Sequence, residues 1–206
     1  MSQGNLSASL TNVLRRLSEL FSAHRAPVGY RPGVTLEHLR RNLGLARFEM
    51  SGPVTAMAVT DDGCLQVEIV ERTESQLLMH LVMTEFVLRV PASREGTARV
   101  ELHHGGAVRR QGIRCRLKEG DNQMSARLKT AIEGDPALYQ ALMPLDFKRL
   151  RIDLQDHQWC VRLEHMGGSE VVNRMPAFRR YIALSREQRI ALWAVLSGLQ
   201  RVLGTL

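Results

Sequence analysis

The sequence predicts an α+β fold, with a mainly antiparallel sheet of about eight to nine strands and helices that cover one face of it. Two observations predict this class. Short runs in which apolar and polar residues alternate follow one another along the chain, as they do in strands joined by turns. Helical patterns are grouped and do not alternate with single strands, which argues against a parallel α/β sheet. With 206 residues, of which 44% are apolar, the chain can bury a sizeable core without disulfides.

The N-terminal residues predict an amphipathic helix and a linker. Apolar residues recur at three- and four-residue spacing from Leu6 to Phe21, so they form one helix face. Proline and glycine cluster between Arg25 and Gly33, as in a linker. The helix carries few cations besides Arg15 and Arg16, which favours packing within the chain or in a homodimer over a membrane surface. The predicted organisation is an N-terminal helix (1–24), a Pro/Gly linker (25–34) and one α+β domain (35–206).

The first half of the domain predicts a short helix and then six strands. The helix has Thr35 as its N-cap and Gly44 as its left-handed C-terminal cap. The apolar period then changes to two, and Asp61-Asp62-Gly63 predicts a hairpin turn. The stretch before Val82 fits a helix as well as a strand, and we interpret it as one long or bent strand that Pro91 ends. The predicted strands cover residues 46–50, 54–60, 65–69, 76–90, 98–103 and 113–118.

The second half predicts helices whose capping residues are visible in the sequence. Ser185 and Gln188 have capping-box spacing at the start of a C-terminal amphipathic helix with an apolar stripe that runs to Leu203. Before it, the sequence predicts a helix capped by Asp121 or Asn122 that ends at Gly134, and a second helix capped by Asp135 with Pro136 at its first position. Strands 150–154 and 159–163 follow, joined by a turn at 155–157. Gly167 and Gly168 then open a loop, and a short strand covers 181–183.

The composition indicates which partners and which compartment suit the chain. The formal net charge is +7, which favours an acidic partner: nucleic acid, anionic lipid or an acidic protein. Cys64, Cys115 and Cys160 lie far apart and are odd in number, which favours a reducing compartment. No signal-peptide pattern opens the sequence, and its longest uncharged apolar stretch is far short of the roughly 20 residues of a membrane span. The sequence therefore predicts a cytoplasmic protein with no transmembrane segment.

A basic segment is the candidate binding site. Alternate residues of a strand project to one face roughly 7 Å apart, so Arg114, Arg116 and Lys118 form a positive stripe there. Clustered cations suit phosphate groups, but no aromatic side chain lies among them to stack on bases. A charged strand face that prevents edge-to-edge pairing explains the same pattern. We predict a binding or interaction protein whose partner is an anionic ligand or an acidic protein, contacted through Arg109, Arg110, Arg114, Arg116 and Lys118, a stripe that Arg149 and Arg151 would extend.

The sequence gives less support to a metal site or to a catalytic site. His103 and His104 are adjacent, so on a strand they point to opposite faces and cannot bind one metal ion. His157, Cys160 and His165 lack a fourth zinc ligand and the usual paired spacing. An enzyme is therefore the third hypothesis, and it requires one of these two histidines within hydrogen-bond reach of Cys160 in a cleft. No metal site or cofactor is predicted.

A small-molecule or lipid site is the alternative to the basic face. Clefts between the apolar face of a sheet and its helices commonly hold ligands. Trp159, Trp193 and several methionines are the residues that would border such a pocket.

Two motifs resemble an uncharacterised proteobacterial family of about this length. They are Gly29–Leu36, with the sequence GYRPGVTL, and Arg179–Ser185, with the sequence RRYIALS, ahead of the last helix. The resemblance implies a bacterial protein and a match over most of the chain. Because the family has no assigned activity, the resemblance assigns no catalytic or binding residue.

Overall fold

The computed structural model describes residues 30–75, 79–106, 111–173 and 178–206. The predicted N-terminal helix (1–24) lies outside these residues. The elements, in chain order, are α1 (Val34–Leu43), β1 (Arg47–Gly52), β2 (Thr55–Val59), β3 (Gln66–Ser75), β4 (Met79–Pro91), β5 (Ala98–Gly105), β6 (Gly112–Gly120), α2 (Asn122–Glu133), α3 (Pro136–Leu142), β7 (Phe147–Gln155), β8 (Gln158–Asn173), β9 (Phe178–Ile182) and α4 (Arg186–Gly204). The predicted α+β class is confirmed.

All nine strands belong to one antiparallel sheet, in the order β1-β2-β3-β4-β8-β7-β5-β6, with β9 also paired to β8. The two longest strands, β4 and β8, pair along most of their lengths at the centre. The other side of β8 pairs with β7 as far as His165 and with β9 from Ser169 onward. β1 and β6 are therefore the first and last strands of the order.

The four helices that the structure describes lie on one face of the sheet, and that face is largely apolar. Trp193 of α4 packs edge-on against Phe86, with ring centroids 6.5 Å apart. Leu36 and Leu39 of α1 are fully buried over the centre of the sheet. One row of paired residues crosses eight strands on this face: Met50, Ala56, Ile69, Phe86, Leu163, Leu150, Leu102 and Cys115. The six central members of this row, from Ala56 to Leu102, are fully buried, and their burial with that of their neighbours stabilises the fold.

Local capping chemistry places three of the four helices as predicted. The Asp121 carboxylate accepts from the backbone N–H of Gln123, and the Asp135 carboxylate accepts from that of Leu138. The Ser185 hydroxyl accepts from the backbone N–H of Gln188. None of the described helices has the length and apolarity needed to cross a membrane.

Four predicted details are wrong. The third strand runs to Ser75, six residues beyond its predicted end at Ile69. Gly33, and not Thr35, is the N-cap of α1, and no side chain of its own segment caps the helix. Gly167 and Gly168 do not open a loop, because β8 continues through them to Asn173. A wide bulge there places residues 166–169 opposite the single residue Met83, between two regular pairs of the ladder. The last strand begins at Phe178, three residues before the predicted start.

Candidate functional site

The face of the sheet opposite the helices is strongly charged. Next to the apolar row, a second row of paired residues points to this outward face: Glu49, Met57, Glu68, Val87, Arg162, Arg151, Glu101 and Arg116. Adjacent side chains of a strand point to opposite faces, so the apolar and charged rows follow from one alternating pattern.

The structure places the predicted basic stripe at the edge of this face. Arg114, Arg116 and Lys118 are exposed on the outward face of β6, whereas the residues between them point toward the helices. Arg151 of β7 lies in the same row as Arg116, with Glu101 of β5 between them. Arg109 and Arg110 lie outside the described residues.

Most cations around this edge are neutralised by carboxylates of neighbouring strands. Arg99 of β5 bonds to two of them, Glu119 and Asp153, both at 2.8 Å. The other pairs are Lys118–Glu101 at 2.9 Å, Arg151–Asp153 at 2.9 Å and Arg149–Glu164 at 3.5 Å. By contrast, Arg114 and Arg116 form no ion pair with any other residue that the structure describes. Among the described cations around this edge, Arg114 and Arg116 are therefore the two without a carboxylate within ion-pair distance.

A group of polar side chains is buried under the helices, away from the predicted basic stripe. Glu71, Thr84 and His165 are register partners across β3, β4 and β8, in the middle of the otherwise apolar face. Glu71 is 5% exposed, Thr84 is fully buried and His165 is 1% exposed. Buried polar groups of this kind are costly unless they are hydrogen-bonded.

Glu71 caps helix α1 from a distant strand. Its carboxylate accepts a hydrogen bond from the Tyr30 hydroxyl, one from the backbone N–H of Gly33 at 3.2 Å and one from the backbone N–H of Leu36. These two backbone groups belong to the first turn, where helical N–H groups have no intrahelical acceptor. Burial raises the pKa of Glu71, although these hydrogen bonds oppose that change. Burial and the adjacent carboxylate also raise the pKa of Tyr30.

Glu170 attaches the same helix to β8. It is 4% exposed, accepts from the Thr35 hydroxyl at 3.3 Å and forms an ion pair with Arg179 of β9. The His38 ring of α1 stacks on Tyr181 of β9, with ring centroids 5.1 Å apart. The start of α1 is thus fixed to the sheet by two buried glutamates.

Both ring nitrogens of the buried His165 have hydrogen-bond partners. Its Nδ1 accepts from the backbone N–H of Gly167 at 2.8 Å, so the proton is on Nε2, which donates to Oε1 of Gln188 at 2.9 Å. Burial lowers the pKa of this ring, which keeps it neutral.

The neutral state of His165 predicts a pH dependence of stability. A depressed pKa stabilises the fold above the ordinary histidine pKa of about 6.5, and that contribution is lost as the pH falls through the folded-state value. We expect the free energy of unfolding of the wild type to fall, relative to His165→Gln, between neutral and mildly acidic pH. Urea unfolding at a series of pH values measures this difference. The exposed His157→Gln variant should follow the wild type, and parallel curves for all three proteins would contradict the prediction.

The geometry required by the enzyme hypothesis is absent for His165. Cys160 lies on the outward face, in register with Asp153 and Arg89, whereas His165 points toward the helices. His157 lies in the exposed β7–β8 turn, where it and Asp156 both have positive φ, of 58° and 51°. Among the described residues, no three His, Cys, Asp or Glu side chains are arranged to hold a metal ion.

The two tryptophans named for a ligand pocket belong to the core of the domain. Trp159 is fully buried, and Trp193 packs against the buried cluster. The pocket remains a prediction from the sequence.

Cys115, on the helix side of β6, has its pKa raised to about 11, chiefly by burial, so its thiol stays protonated at neutral pH.

Comparison with protein families matches residues 41–203 to the family described as "Protein of unknown function (DUF3156)". The chain belongs to this family. The DUF3156 match contains all nine strands, Glu71, Glu170 and the motif Arg179–Ser185, whereas the motif Gly29–Leu36 precedes it. The predicted resemblance to a family without an assigned activity is thereby confirmed. No curated protein and no solved structure matches the chain.

Proposed function

We propose that this DUF3156 protein is a binding protein that contacts an acidic protein partner through the outward face of β6. We call Arg114, Arg116 and Lys118 the β6 patch. The observation that carries the proposal is that Arg114 and Arg116 are exposed and form no ion pair with any residue that the structure describes, although the neighbouring described cations are neutralised. A partner can bind these two guanidinium groups without displacing an existing carboxylate. The sequence adds Arg109 and Arg110 ahead of the strand.

The surroundings of the patch favour a protein over a nucleic acid. Glu101, Glu119 and Asp153 lie among the cations, and they would repel the continuous charge of a phosphate backbone. The outward residues of the described strands β5, β6 and β7 include no Phe, Tyr or Trp to stack on bases. A protein segment can place carboxylates opposite two arginines and avoid the acidic positions, which is the charge complementarity that steers protein association.

A cytoplasmic location is part of this proposal. Cys64, Cys115 and Cys160 are all free thiols in the structure, and free thiols persist in a reducing compartment. Fractionation of cells that express the tagged full-length chain would test this location, and recovery in a membrane or exported fraction would contradict it.

Reversing the charge of Arg114 and Arg116 should strongly weaken binding to an acidic chain. We expect a fluorescent polyglutamate peptide to bind the wild type, more weakly as salt rises, and to bind Arg114→Glu/Arg116→Glu at least about tenfold more weakly. Fluorescence anisotropy titrations at two salt concentrations measure both effects.

The matched control is Arg40→Glu/Arg41→Glu on α1, which changes the net charge equally at two other exposed arginines. It should retain binding. Equal weakening in both variants would mean that net charge and not the patch is responsible, and unchanged binding in the β6 variant would remove the patch altogether. A single-stranded DNA of the same charge should bind less tightly than the peptide, and tighter DNA binding would overturn the choice of an acidic protein.

A further inference from the structure

β1, at the opposite end of the strand order from β6, has a different charge pattern from β6. β1 pairs only with β2, so one side of its backbone lacks a strand partner in the described fold. Arg47 and Glu49 are exposed on its outward face, and Phe48 and Met50 are on the helix side. Met50 is 46% exposed, which is unusual for a large apolar side chain next to a core. Such an edge is available for pairing with another strand.

Symmetry restricts how β1 can pair with a second copy of itself. In a two-fold antiparallel pair, residues on the same face lie opposite each other, so each register has a central residue that meets its own copy. A register centred on Phe48 sets Arg47 opposite Glu49 of the second copy, twice. A register centred on Arg47 or on Glu49 sets like charges opposite each other. Phe48 is thus the centre that pairs opposite charges.

We propose that two copies of this chain associate through β1, in the antiparallel register centred on Phe48, to form one continuous sheet. On the outward face this register makes two Arg47–Glu49 ion pairs across the two-fold axis. On the helix side it sets the two Phe48 rings together and brings Met50 next to Ala46, the exposed residue just before β1. The Arg47 guanidinium now donates to the backbone oxygen of Thr60 at 3.4 Å in an exposed position, and losing that long bond costs little.

The β6 edge does not suit a second copy. Registers centred on Arg114 or Arg116 place an arginine against its own copy, and the one centred on Cys115 places Arg114 against Arg116. Like charges directly opposite each other destabilise a strand pair. Each of these registers through the β6 patch is therefore unfavourable, whereas the register centred on Phe48 of β1 pairs opposite charges and leaves the β6 patch free at both ends of the dimer. This inference does not depend on the function proposed for that patch.

The expected dimer is weak. In this register only Arg47, Phe48 and Glu49 of each six-residue strand lie opposite one another, so the pair buries less surface than a standard interface of roughly 1,600 Å². We therefore expect a monomer–dimer equilibrium that shifts with protein concentration, measurable by sedimentation equilibrium of the full-length chain.

Charge exchange tests the register as well as the association. Arg47→Glu and Glu49→Arg each set like charges opposite each other, so each variant alone should be monomeric at concentrations where the wild type dimerises. Mixed in equal amounts, the two variants restore both ion pairs and should form a heterodimer. The double variant Arg47→Glu/Glu49→Arg should also dimerise. Because Arg47 and Glu49 are exposed, these substitutions should leave the fold intact, and circular dichroism of each variant checks this.

Glu37→Arg on α1 is the control, because it changes the net charge as Glu49→Arg does but lies on a helix. It should leave dimerisation unchanged. A wild type that stays monomeric at every concentration overturns the proposal. A dimer that survives Glu49→Arg, or a mixture of the two variants that remains monomeric, overturns the proposed register.

Discussion

Replacing Glu71 by alanine is expected to lower the free energy of unfolding by about 3 kcal/mol. The change leaves the Tyr30 hydroxyl and the backbone N–H groups of Gly33 and Leu36 without their acceptor at a site that is nearly closed to water. Because Gly33 offers no side-chain cap, α1 has no local substitute for this carboxylate. Urea unfolding followed by circular dichroism measures the loss. Glu37→Ala, on the exposed side of the same helix, should change the stability little.

Glu71→Gln separates the hydrogen bonds from the charge. The amide oxygen can accept from Gly33, and the amide nitrogen can donate to the Tyr30 oxygen, so this variant should retain most of the stability that alanine loses. A raised folded-state pKa means that the contribution of Glu71 is fully present below the ordinary glutamate pKa of about 4.3 and is lost as the pH rises through the folded value. The wild type should therefore gain stability relative to Glu71→Gln as the pH falls from neutral toward that range. A difference that is constant with pH, or a loss in Glu71→Ala no larger than in Glu37→Ala, would contradict this account.

Elements that depend on neighbours in the sequence could be predicted. The caps at Asp121, Asp135 and Ser185 are local interactions between a side chain and a backbone group two or three residues away. The strands were visible because alternation is a local pattern. The order of the strands was not, since β8 pairs with β4 across the intervening β5, β6 and β7.

For the binding surface, too, local patterns could be predicted and contacts between distant strands could not. The outward direction of Arg114, Arg116 and Lys118 follows from alternation, and the structure agrees. Which of them is neutralised depends on β5, whose Glu101 reaches Lys118 at 2.9 Å. No sequence pattern identifies that neighbour, so the stripe looked uniformly charged.

Of the two buried glutamates that hold α1, Glu71 had a signal in the sequence and Glu170 had none. Val67, Ile69 and Glu71 have the same parity on β3, so a strand extended beyond Ile69 would have placed Glu71 on the apolar face. Ending that strand too early hid the residue. Glu170 gave no comparable signal, because the four-residue bulge before it interrupts the period of two.

Replacing Gly168 by alanine should show that this bulge is a built feature of the fold. Gly168 has φ of 85°, and a Cβ there would lie 3.0 Å from Leu39 Cδ1 and 3.0 Å from Thr84 Oγ1. We expect a loss of about 3 kcal/mol, part from the left-handed backbone and part from crowding. Gly44→Ala isolates the cost of the left-handed backbone, because the φ of Gly44 is 66° and no described atom lies within 4 Å of where a Cβ would be. Gly44→Ala should cost about 1 kcal/mol.

The difference between the two alanine variants, measured by urea unfolding, reports the crowding around Gly168. The side chains that would have to yield belong to α1 and β4, and Leu184 adds a third contact at 3.2 Å. Because these neighbours lie on separate elements, relief of one contact does not relieve the others. Equal losses in the two variants would mean that the bulge relaxes freely. It would then not hold Glu170 in place beneath α1, and Glu71 would be the remaining buried glutamate that attaches the start of that helix to the sheet.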